Sequence, residues 1–281
     1  MNLIEQLKSQ LDKSALIENG VYYFVNSSNI NNDQSNSKTG GNHFRDEFQS
    51  PVGLRMLDIK KNDVGIQFGC DPSSLLFYAA NVSGLMAVVD KNIENLICLN
   101  KKLQKRGKHD VLLINNYPAE NNSVNGSFDF AIISHTINRL YNIKQNKDLL
   151  MIAKKILKNG GKLYFSIDNK NNYLNIISSN WSLSSKKYLL SKNSWLELLS
   201  EVGFIDIKTY AVFPDNKFPL RIYPMSRINQ ITYGTVSSNI YVESLLSKII
   251  RKMRIYLDTI LFDKMGLFDL SPSFIFIAQR K

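Results

Sequence analysis

The residues best equipped for chemistry stand where short apolar runs end. Gln67, Gly69, Cys70 and Asp71 close one run and Asp90 and Lys91 a second. Asn115, Asn116 and Tyr117 close a third, and Ser134 and His135 a fourth. A glycine at position 69 lets backbone turn sharply and come close to a ligand. Asp90 offers two acceptor oxygens, and the asparagine amides both accept and donate. His135, with an ordinary pKa of about 6.5, suits removal of a proton from oxygen or nitrogen; its other reading is a pocket-lining or helix-capping side chain. His43, beside Phe44 and Arg45, belongs either to a closing lid or to the surface. Other chemistries find no support. Cys70 and Cys98 make no Cys-x-x-Cys pair, and histidines 43, 109 and 135 are scattered, which argues against a structural zinc site. The turn after Gly69 is not Gly-x-Gly-x-x-Gly, and no phosphate loop ending in Gly-Lys-Ser/Thr occurs.

Such residues need a scaffold that brings strand ends together. From Val64 onward, apolar runs alternate with helical patterns, the mark of βα units on a mostly parallel sheet. The runs predict strands over 64–68, 84–89, 111–114, 128–133, 162–167, 204–213 and 272–280. Helices are predicted over 73–81, from Ile93 to Leu103, over 146–158 with Asn159-Gly160-Gly161 as its C-cap, and over 193–202 with Gly203 as its stop. In such sheets, ligands bind at the carboxyl ends of strands beside the switch point, here near Gly69 and Ser134.

Two regions exceed a minimal domain. Residues 1–58 read as an N-terminal cap: a helix over 3–17, a strand or docked segment at 21–25, and a mobile polar loop at 26–41. Residues 59–281 read as the main domain, with an insertion at 214–271. Within that insertion a helix is predicted over 240–262. Leu246, Ile249, Ile250, Met253, Leu257, Ile260 and Leu261 share one of its faces. That stripe either docks on the domain, the favoured reading, or lies on an anionic membrane.

The chain has 281 residues, 44% hydrophobic and 21% charged, enough for one large or two small domains and too apolar for general disorder. No run approaches the roughly 18 apolar residues of a membrane span, and the N-terminus carries no signal-peptide core. A cytoplasmic protein is the expectation. The net charge of +11 is concentrated in residues 151–281, which hold 19 basic and 9 acidic side chains. That excess reads either as affinity for a polyanion or acidic membrane, or as Lys- and Asn-rich codon usage without function.

Five passages in order resemble class I S-adenosylmethionine-dependent methyltransferases. They are the strand closed by Gly69-Cys70, Asp90 at the next strand end, and Gly126 to Leu140 around the fourth strand. The helix–Gly-Gly–strand passage Ala153–Leu163 and the lead Leu198–Phe204 complete the set. The resemblance covers roughly 60–213 and resumes at 272–280. It implies a Rossmann-like α/β fold with a seven-stranded, mostly parallel sheet in the order 3-2-1-4-5-7-6 and helices on both faces. It implies S-adenosylmethionine as cofactor and S-adenosylhomocysteine as product. By resemblance, Gln67, Gly69, Cys70 and Asp71 shape the methionine site, Asp90 and Lys91 hold the ribose, Asn115 to Tyr117 flank the adenine, and Ser134 and His135 rim the cleft. The chain departs from the family where Gln67 replaces an acid and where Asp71 and Ser73 replace glycines.

The implied function is methyl transfer to oxygen or nitrogen of a small-molecule, sugar or peptide intermediate. A softer likeness at Val212–Pro219 to methyltransferases of natural-product and surface-glycan pathways points the same way. The alternative is a non-catalytic binding or scaffolding protein of this fold. A nucleic-acid substrate is disfavoured, because Ser134-His135-Thr136-Ile137 stands where base-methylating enzymes carry Asn/Asp-Pro-Pro-aromatic.

Overall fold

Strand by strand, the apolar runs from Val64 onward meet neighbours that cover them on both sides. The computed structural model describes residues 51–70, 74–107, 111–115, 125–134, 143–173, 190–213, 219, 221–226, 253, 256–257 and 259–281, and the backbone of 15–18 and 21–24. The strands are β1 (Ala15–Glu18), β2 (Val21–Phe24), β3 (Val64–Phe68), β4 (Leu85–Asp90), β5 (Val111–Asn115), β6 (Phe128–Ser134), β7 (Leu157–Asp168), β8 (Phe204–Phe213), β9 (Arg221–Pro224) and β10 (Ser273–Arg280). The helices are α1 (Ser74–Val82), α2 (Ile93–Lys105), α3 (Ile143–Ile156) and α4 (Lys192–Val202). A short 3-10 segment, Pro51–Leu57, precedes β3.

All strands join one sheet in the order β1-β2-β5-β4-β3-β6-β7-β10-β8-β9. The seven from β5 to β8 reproduce the expected order, and β10 runs antiparallel between β7 and β8. Among the described residues the count is ten instead of seven. At one edge β2 pairs in parallel with β5 and forms a hairpin with β1, so residues 15–17 are extended where a helix was predicted. At the other edge β9, inside the 214–271 insertion, pairs antiparallel with β8. A second correction concerns Asn159-Gly160-Gly161. These residues lie within β7 instead of capping a helix, and Gly160, at φ +77°, falls where the β6–β7 register shifts.

Every residue of β3 is buried, as in a parallel strand covered on both faces. One face packs on α3 and α4, with Trp195 edge-on to Phe165 at 4.8 Å. The other packs under Pro51–Leu57, α1 and α2. Gly65 is required on that face, because a Cβ there would overlap the Phe130 ring. Local signals set the helix ends. The Asn92 side chain accepts from the Glu94 N–H at the start of α2, and Ser191 does the same for Ser194 at α4. Gly203, at φ +92°, ends α4 as predicted. No helix among the described residues is long and apolar enough to cross a membrane.

Candidate active site

The tips of β3, β4 and β5 are held together by side chains that bond to backbone. The turn begins at Gly69, at φ +88°, whose N–H donates to the Val89 carbonyl at 2.8 Å. Only glycine takes that conformation without strain. One residue on, the Cys70 N–H donates to Asp90 Oδ2 at 2.5 Å. The other carboxylate oxygen, Oδ1, accepts the Asn92 N–H at 2.7 Å. Asp90 thus clasps the β3 turn to the start of α2. Each oxygen spends one acceptor position on backbone, and a carboxylate has about four. The remaining acceptor positions therefore fit a cofactor that presents a pair of hydroxyls at the β4 tip.

The Cys70 thiol is buried, and Sγ donates to the Asn95 carbonyl at 3.1 Å, directed toward α2. Gln67 is 1% exposed, and its Nε2 donates to the Gly69 carbonyl at 3.1 Å. It braces the turn from beneath. Asn115 is buried at the β5 tip and donates both amide hydrogens to main chain, to the carbonyls of Asp90 and Lys91, each at 3.1 Å. Its amide group thereby ties the β5 tip to the main chain at the end of β4. Lys91 is exposed, and Ser134 is buried at the β6 tip in register with Ser166 of β7. The remaining sequence-predicted site residues, Asp71, Asn116, Tyr117 and His135, lie outside the described residues, as does His43.

Sequence reasoning missed two contributors. The backbone of Asn92 was legible as an Asp-x-Asn turn, in which an aspartate accepts from the N–H two residues on. Ser166 carried no signal, because only strand register sets it beside Ser134. Tyr164, also on β7, is no base: burial pushes its phenol well above the usual range and keeps it protonated.

The β7, β8 and β10 tips are closed differently. Asn169 is buried and donates to the carbonyls of Asp269 and Ser271 at 2.9 and 2.8 Å. Ser271 Oγ accepts the Val212 N–H at 3.1 Å. Beside them Phe213 packs on Phe262 at 3.8 Å, and Tyr223 on Phe268 at 5.0 Å. At the opposite, amino end of the strands, a cleft of about 270 Å³ lies between Asp63, Asp129 and Lys162. Its lysines are engaged, Lys158 with Asp129 at 2.6 Å and Lys162 with the Leu57 carbonyl at 2.7 Å. Among the described residues no group of acidic, histidine or cysteine side chains could hold a metal.

Residues 57–196 match the ubiE/COQ5 methyltransferase family. No curated protein matches the sequence. Among solved structures, the chain resembles Haemonchus contortus phosphoethanolamine N-methyltransferase 2 in complex with S-adenosyl-L-methionine. The TM-score is 0.53 at 18% identity, over 82% of this chain and 51% of that one. The same enzyme with phosphomonomethylethanolamine and S-adenosylhomocysteine gives 0.52 at 16% identity, over 82% and 51%. A methyltransferase from Archaeoglobus fulgidus gives 0.48 at 18% identity, over 82% and 94%. The chain spans about half the length of the Haemonchus chains it matches, and at these identities the likeness speaks to fold. The family match and the order of the seven central strands lead to one assignment: residues 57–196 match a methyltransferase family, and the chain carries the class I methyltransferase fold.

Proposed function

We propose that this chain transfers a methyl group from S-adenosylmethionine to an oxygen or nitrogen of a small-molecule, sugar or peptide intermediate. The observation that carries the reading is the Asp90 carboxylate. It is fixed by two backbone N–H groups at the β4 tip and retains acceptor capacity on both oxygens. Asp90 holds the ribose hydroxyls, and the Gly69 turn lets main chain approach the methionine part. Gln67 and Asn115 keep that frame rigid from below and from the side. S-adenosylmethionine, when bound, supplies a methyl group already activated by its sulfonium, so the protein has to bind, orient and take a proton. His135, at the first position after β6, takes that proton from the acceptor in this reading.

The test is calorimetric titration with S-adenosylmethionine and S-adenosylhomocysteine. The wild type is expected to bind both. Asp90→Ala is expected to weaken binding on the order of 100-fold, the equivalent of one or two hydrogen bonds to a charged group. Absence of binding by the folded wild type would overturn the reading and favour the non-catalytic alternative.

A further inference from the structure

Strand alternation puts the polar tips of the sheet on one face. Gln67 of β3, Asp90 of β4, Ser134 of β6 and both Ser166 and Asp168 of β7 lie on the side covered by Pro51–Leu57 and α1, because Val88, Ile132 and Tyr164 at matching positions pack there. The residues that alternate with them, Val89, Phe68, Ile133 and Ile167, turn into the opposite core. Two carboxylates stand on this polar line, Asp90 on one side of the β3–β6 pair and Asp168 on the other. Three strand spacings, roughly 14 Å, separate them, so they cannot serve the same small group.

Asp168 is partly exposed, and its Oδ1 accepts the Ser273 hydroxyl at 3.3 Å. A carboxylate has about four acceptor positions, and this one reaches solvent. Two residues earlier on the same face, Ser166 is fully buried in register with Ser134. The Tyr164 hydroxyl approaches Ser166 Oγ, yet that oxygen makes no hydrogen bond of good geometry. A buried hydroxyl left in that state, beside a partly exposed carboxylate, calls for a polar ligand.

We propose that the β6 and β7 tips form the acceptor side of the site, and that Asp168 holds the nitrogen of an amine there. The inference rests on the proposed function, in which Asp90 and the Gly69 turn take the cofactor and leave β6 and β7 to the acceptor. The charge of Asp168 selects nitrogen over oxygen. An amine gives one proton to His135 and frees its lone pair. That pair forms the nitrogen–carbon bond while the carbon–sulfur bond breaks and its electrons return to sulfur. Positive charge thus moves from sulfur to nitrogen, where a carboxylate stabilises it. A hydroxyl acceptor passes instead through negative charge on oxygen, which the same carboxylate opposes.

The experiment compares two cofactor analogues by calorimetry on the full chain. S-adenosylhomocysteine is uncharged at sulfur. Sinefungin carries a primary amine where the methylated sulfur stands, and so presents a cationic nitrogen to the acceptor side. The wild type is expected to bind sinefungin more tightly than S-adenosylhomocysteine. Asp168→Asn should cut that advantage about fivefold, the size of a partly exposed ion pair, and leave the affinity for S-adenosylhomocysteine unchanged. Asp168→Glu should recover part of it. An advantage that survives in Asp168→Asn, or an equal loss of both analogues, would overturn the proposal while the proposed function stands. Failure of the folded wild type to bind S-adenosylhomocysteine would bring down the proposed function and this inference with it.

Discussion

The two halves of the sheet close the same end, the carboxyl end of the parallel strands, by opposite means. At β3, β4 and β5 the contacts are polar and partly solvated, and the central group is a carboxylate that keeps acceptor positions open. At β7, β8 and β10 the contacts are buried. There Asn169 and Ser271 bond to neighbouring backbone, and five aromatic rings fill the space beside them. The first arrangement holds a ligand site open in shape yet firm in position. The second locks a long insertion onto the sheet. A side chain that bonds to backbone serves both ends. The difference lies in whether it retains hydrogen-bonding capacity toward solvent.

Mutations at the two ends should therefore separate affinity from stability. Phe262→Ala is the harshest. It removes a fully buried ring and should lower unfolding free energy by about 3–5 kcal/mol, read by urea denaturation. In whatever fraction remains folded, S-adenosylmethionine affinity should be unchanged. A large loss of affinity there would mean that the two ends are coupled. Asn169→Ala comes next. It strands the buried carbonyl of Ser271, loses the partly buried bond to Asp269, and should cost about 1–3 kcal/mol, again without moving the dissociation constant.

The smallest effect is one of pH. Burial and the Asp263 carboxylate push the Tyr223 phenol up to about 12 from its ordinary 10.0. The folded state therefore holds that proton more tightly than the unfolded chain does. The stabilisation is complete below pH 10 and is lost as pH rises toward about 12. Tyr223→Phe should make alkaline unfolding less steep and lower the neutral melting temperature modestly, because the hydrogen bond to Asp263 is lost. An identical alkaline profile would show that this phenol is not tuned by the insertion.

The central fold was legible because parallel strands buried on both faces read as continuous apolar runs, and Gly203 and Asp90 announce their elements locally. The edges were harder. β9 has only four residues and ends at Pro224, and β1 falls where apolar spacing also suits a helix. Asn159-Gly160-Gly161 resembles a helix stop in sequence, yet the register of β7 against β6 carries it into the strand. At the site, Asp90 and Gly69 were readable by type and position. The task of Asn115 was not, since its partners are carbonyls on a neighbouring strand, set by register alone.

The place of β10 has a consequence for how the chain is made. Its residues 273–280 follow every other strand in sequence, yet they sit between β7 and β8. A ribosome delivers those two strands, and β9 after them, well before the strand that joins them. Until residue 280 emerges, each presents a row of unsatisfied backbone groups facing an empty slot, so the nascent protein passes through a stage with two open edges inside its own sheet. The interval between β8 and β10 then sets how long a newborn molecule stays open to mispairing, and slowing translation across 214–271 is a direct way to lengthen that exposure.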